Sequence, residues 1–193
     1  MFGLPKRIVI FDNEVTTWEG AAARNWSGSD EHRELVQLAA ALVDTEDFTE
    51  LCVYKILAKP RINPILSEYF IDLTHITQKE VDERGVDFSL VLDHFYAWCG
   101  EDDLYSFDKV DVSRLFDRDV LIENCDLYGL EFPFETERFR NINEIFAEHG
   151  IIVKQSGRAP EAFGEEPKLR SHDALNDVRG LIRGLQLLKK KVA

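Results

Sequence analysis

No run of about 18 or more apolar residues occurs anywhere in this sequence, so nothing in it reads as a membrane-spanning helix. Its start, MFGLPKRIVIFD, passes from a short basic patch straight into a strand pattern without a signal-peptide core, and the expectation is a soluble, cytoplasmic protein with no membrane partner. Cysteine is scarce. Cys52, Cys99 and Cys125 are odd in number and far apart, which excludes a disulfide framework or a thiolate metal centre and leaves three reduced thiols. Basic residues are also few: 23 Lys and Arg stand against 36 Asp and Glu, a formal net charge of −13 that argues against a general nucleic-acid coat protein. Repeats and low-complexity tracts are missing. What remains is 193 residues, 45% hydrophobic and 11% aromatic, enough for one sizeable core and a single domain over 1–193.

The pattern alternates between strand and helix. KRIVIFDNEV reads as a buried strand with Ile8, Ile10, Asp12 and Glu14 on one face and Val9, Phe11, Asn13 and Val15 on the other. TWEGAAARNWSGSDEH is small and polar apart from Trp18 and Trp26, an exposed excursion. RELVQLAAALVD and FTELCVYKILAKP form a hairpin on the first strand. Short helices follow, with Thr77 and Glu80 in a capping box, and then a helix carrying Phe88, Val91, Leu92, Phe95 and Trp98 inward. DDLYSF is a short strand, and DVSRLFDRDVLIENCDLYG is predicted as a helix opening at Asp111. RFRNINEIFAEHG is expected to be helical, KQSGRAPEAFGEEPKLR a loop, and SHDALNDVRGLIRGLQLLKKK a closing helix with Leu181, Ile182, Leu185 and Leu188 inward. The layer order is mixed α/β.

Two carboxylates inside a buried strand demand a partner, because an unpaired buried charge is strongly unfavourable. A core Arg or Lys would serve, and so would a metal ion. Asp12 and Glu14, two apart on one strand face, have Cα atoms roughly 6.5–7 Å from each other, which lets them converge on two ions about 3.5–4 Å apart. Asp111 would stand at a helix start after a strand, where ligands and ordinary N-caps are both common. Asp177 lies one turn into the last helix. His172, five residues earlier, would diverge from it by about 140° on a continuous helix, so it belongs on the preceding loop or first turn.

In order and spacing, FDNEVTTW, NPILSEYFIDLTHITQKEVD, SFDKVD and SHDALND resemble the exonuclease motifs of the DEDDh 3′-to-5′ exonucleases. Within that family the run from NPILSEYF to ITQKEVD and the later INEIFAEHG are most similar to the branch of the enhanced-RNAi exonucleases and the sporulation inhibitor KapD. The resemblance covers about residues 6–190. It implies an α/β, RNase-H-like exonuclease fold: a mixed five-stranded sheet flanked by helices. It further implies that Asp12, Glu14, Asp111 and Asp177 hold two Mg²⁺ or Mn²⁺ ions and that His172 acts as general base on the attacking water. The implied substrates are 3′ ends of single-stranded RNA or DNA, RNA favoured, cut to nucleoside 5′-monophosphates. Leu73 and Ile76 match positions that pack the terminal nucleotide. Val15 and Thr16 match positions whose backbone receives the 3′-hydroxyl. Four carboxylates committed to cations would bring the formal charge from −13 to −9.

Several positions depart from the family pattern. Asn13 stands where an apolar residue or Thr is usual, His75 where Gly is usual, and SFDKVD offers Asp108 as an alternative third acid to Asp111. The rival function is that of a KapD-like regulatory protein which keeps the fold and binds a protein partner. A homodimer is compatible with either.

Overall fold

The computed structural model describes residues 2–110 and 114–192 of the chain. Five strands form one sheet in the order β3-β2-β1-β4-β5. β1 (Arg7–Val15) pairs antiparallel with β2 (Leu35–Asp44), which pairs antiparallel with β3 (Thr49–Leu57). On its other side β1 runs parallel to β4 (Leu104–Ser106), and β4 parallel to β5 (Phe139–Asn141). The mixed sheet flanked by helices is the architecture predicted from sequence.

The period-2 pattern of β1 decides what each face meets. Val9, Phe11 and Val15 pack with α3 (Phe88–Cys99) and α4 (Phe116–Tyr128), through Phe88, Val91, Phe95, Val120 and Leu121. Ile8 and Ile10 pack on the opposite face with α5 (Ile142–Glu148) and α6 (Ala174–Val192), whose Leu181, Ile182, Leu185 and Leu188 are all buried. Asp12 and Glu14 continue the α6 row, and Asn13 the α4 row. α1 (Glu68–Thr74) and α2 (Gln78–Arg84, opened by the Thr77–Glu80 capping box) pack over the β2 end through Phe70, Ile76 and Val81 around Val36. Among the described residues no helix is long and apolar enough to cross a membrane.

Three local expectations are corrected. α4 begins at Phe116, with the extended Leu115 as its N-cap, so the helix does not run from Asp111. The stretch expected as one helix near Arg138 starts with strand β5, because Phe139 and Asn141 are needed beside Leu104 and Ser106. The Gly/Pro-rich loop contains a 3-10 segment, Ser156–Phe163, packed on α6. The excursion after β1 is pinned as well as turned: Ala21 is fully buried, and the Trp26 indole donates to the Thr16 carbonyl at 3.0 Å.

Candidate active site

A cleft of about 490 Å³ opens where the C-terminal end of β1 meets the first turns of α4 and α6. Asp12 and Glu14 enter it from β1, Asp177 from α6, and His172 from the loop before α6. Ligand atoms of Glu14, His172 and Asp177 lie within 4.8 Å of one another. His172 holds a left-handed backbone, φ 63°, and its N–H donates to Asp177 Oδ2 at 3.2 Å, which ties the loop to the helix it precedes. Arg170 secures the same loop from the other side by donating to the Thr74 carbonyl at 2.6 Å.

For the third acid the structure adds a residue that the sequence reading did not name. Asp111 lies outside the described residues. Asp108 caps a helix: its Oδ2 accepts from Phe116 N–H at 3.0 Å and its Oδ1 from Lys109 N–H at 2.7 Å. The carboxylate brought into the cleft is that of Asp117, in the first turn of α4, buried and accepting from Asn13 N–H at 3.1 Å. A signal for it exists in the sequence. Asp117, Val120, Leu121 and Asn124 recur at helical spacing and are all buried, so the acid sits on an inward stripe where a solvated charge would not.

Of the expected substrate positions, Val15 and Leu73 line the cleft, joined by Tyr69 and Thr17. Thr16 does not. Its N–H donates to the Glu34 carbonyl, its carbonyl accepts from Trp26, and its hydroxyl bridges His32 and Glu34, so the Thr16 N–H is already engaged within the fold. Ile76 also turns away, packing with Val36, Phe70 and Val81 and lining a neighbouring pocket. Lys154, Gln155 and Ser156 line the far wall, which the sequence reading left as plain loop. Gly157 is equally unforeseen: a Cβ there would collide with Asp177 Oδ1, and one on Gly180 would come 2.6 Å from the Gly157 Cα.

The electrostatics follow from crowding like charges in a poorly solvated place. Burial, then Asp117, Asp177 and Glu14, push the Asp12 carboxyl well above the usual range. Burial and the neighbouring acids push Glu14 up to about 8, with Arg170 opposing. Burial raises Asp117 to about 8 against the pull of the Asn13 N–H, and raises Asp177 to about 6 against that of the His172 N–H. His172 moves the other way, held below the usual imidazole value by burial and then by Arg170. Among the described residues none of the four acids is in an ion pair with Lys or Arg. Asp177 Oδ1 is buried without any donor. Of the two partners that the strand carboxylates called for, no basic side chain among the described residues comes within ion-pair distance, while hard oxygen donors around an unsatisfied carboxylate oxygen suit Mg²⁺ or Mn²⁺.

Comparison with known proteins agrees with this geometry. The family model described as Exonuclease, RNase T, matches residues 9–185. Rat 3′-5′ exoribonuclease 1 is 25% identical over 182 residues, 91% of this chain and 51% of the relative. Human ERI1 exoribonuclease 2 is 30% identical over 92 residues, 47% of this chain and 12% of the relative. The chain thus spans about half the length, or less, of these curated relatives. The solved nuclease domain of 3′hExo, a DEDDh family member bound to rAMP, shares the fold with a TM-score of 0.78 and 24% identity, covering 96% of this chain and 92% of that one. A chain with this sheet, matched by that model over nearly its whole length, belongs to the exonuclease family described as RNase T.

Proposed function

We propose that the protein hydrolyses single-stranded nucleic acid from its 3′ end, RNA in preference to DNA, and releases nucleoside 5′-monophosphates. The observation that carries this reading is the convergence of Asp12, Glu14, Asp117 and Asp177 with no ion-pair partner among the described residues, one of their oxygens buried and unsatisfied. These four would hold two divalent cations, Mg²⁺ or Mn²⁺, which when bound supply positive charge to the phosphate and make a water more acidic. His172, kept neutral near pH 7 by its lowered pKa, accepts a proton from the attacking water. The water oxygen bonds to phosphorus as the bond to the upstream 3′ oxygen breaks, and that oxygen takes a proton from solvent. Val15, Tyr69 and Leu73 give the cleft an apolar end against which the terminal nucleoside packs. The RNA preference is supported by the names of the curated relatives, which are exoribonucleases.

The test is a time course on 5′-labelled single-stranded RNA and DNA with Mn²⁺, with EDTA, and with Asp12→Ala. Shortening from the 3′ end that EDTA and the substitution both abolish is the expected result, RNA faster. Intact oligomers after incubation with metal-loaded protein would overturn the reading.

A further inference from the structure

We infer that Asn13 is a positioning residue that indexes Asp117 to the two strand acids, an inference resting on the metal-binding role proposed above. Asn13 is the residue between Asp12 and Glu14, and its side chain points to the opposite sheet face, into the packing against α4. From there it makes two bonds to one residue 104 positions away. Its backbone N–H donates to Asp117 Oδ1 at 3.1 Å, and its Nδ2 donates to the Asp117 carbonyl at 3.0 Å. One bond holds the carboxylate and the other holds the backbone that carries it. Both the place and the rotamer of the acid are thereby referred to the strand that supplies its two neighbours.

Two further observations make the amide more than core filling. Asn13 is only 7% exposed and its Oδ1 has no donor, so the position buries an unsatisfied acceptor that an apolar residue would avoid. The start of α4 needs outside support, because its N-cap Leu115 offers no side-chain hydrogen bond. Asp108 accepts from the N–H of Phe116, and Asn13 donates to the carboxylate and the carbonyl of the next residue.

The experiment measures Mn²⁺ binding to the full chain by calorimetry, without nucleic acid, for Asn13→Leu, Asp117→Asn and the double variant. Asn13→Leu is expected to weaken Mn²⁺ about tenfold, near the low end for residues that orient ligands. Asp117→Asn is expected to weaken it further, and the double variant to bind no more weakly than Asp117→Asn alone, since the amide acts through that acid. Unchanged affinity in Asn13→Leu, or losses that multiply in the double variant, would overturn the inference. Asn13→Thr, too short to reach the carbonyl, carries the same test if the leucine variant does not fold. Unfolding of both variants would assign Asn13 to folding and overturn positioning too. A wild-type chain that binds no Mn²⁺ sinks the proposed function itself, whereas a binding wild type with an indifferent Asn13→Leu sinks only this inference.

Discussion

Asp108 and Asp117 carry the same functional group nine residues apart and serve different ends. The carboxylate of Asp108 closes the first turn of α4, and removing such a cap costs about 0.5–2 kcal/mol. Asp108→Ala should therefore lower the melting temperature by a few degrees while cleavage persists. Asp117→Asn should do the reverse. It relieves repulsion among buried acids, so thermal stability holds or rises, while cleavage falls by more than about 100-fold, the upper end for groups that merely support ligands. Melting curves and cleavage rates on the two variants check both halves. At Gly157 the expected result is joint damage. Gly157→Ala drives a methyl into Asp177 Oδ1, so it should lose about 1–3 kcal/mol of stability and most metal affinity, read by denaturant unfolding and Mn²⁺ titration.

At the scale of elements, Glu34 holds together what the active cleft needs on one side. Fully buried at the start of β2, its carboxylate accepts from the N–H groups of Arg61, Ile62 and Asn63 at 2.7, 2.8 and 2.5 Å, and from the Tyr128 hydroxyl at 2.5 Å. It fixes the loop leading to α1, the helix that presents Tyr69 and Leu73, against the end of α4. Glu34→Gln leaves at least one of those donors without an acceptor, an expected loss of about 1–3 kcal/mol that shifts the melting midpoint by several degrees. Neither Glu34 nor the α4 boundary was readable beforehand, and for one physical reason. β1, β2 and α6 announced themselves through their own periodicity, which is local. The start of α4 is set by Asp108 from eight residues upstream and by Asn13 from the first strand, so Asp111 looked like an N-cap with nothing nearby to say otherwise. Asp12 and Glu14 stood out as two acids on one face of a single strand, whereas His172 and Asp177, on a loop and the helix after it, were singled out through the resemblance of SHDALND to a family motif. Thr16 and Ile76 do not line the cleft because their local neighbours, His32, Glu34 and the α1–α2 core, engage them.

Taken as a whole, the molecule concentrates part of its acidity where it destabilises the metal-free fold. Asp12, Glu14, Asp117 and Asp177 all bind protons more tightly folded than unfolded. Their stabilising contribution is present in full below the unfolded carboxylate values near 4 and is lost as pH rises through about 6 and then about 8. In EDTA the melting temperature should accordingly fall between pH 5 and pH 8. Saturating Mn²⁺ should flatten that fall, because a cation replaces the protons, and the metal-induced rise should be larger at pH 8 than at pH 5. A melting temperature in EDTA that climbs over this interval would contradict the shared origin of these shifts.

The four acids come from β1, α4 and α6, elements that begin 7, 116 and 174 residues into the chain. During synthesis, Asp12 and Glu14 leave the ribosome long before the helix bearing Asp177 can dock against the sheet. A half-made chain thus holds fragments of the cleft and no complete seat for two cations. The seat is complete only once α6 has docked against the sheet, so binding of two cations reports the docking of that helix.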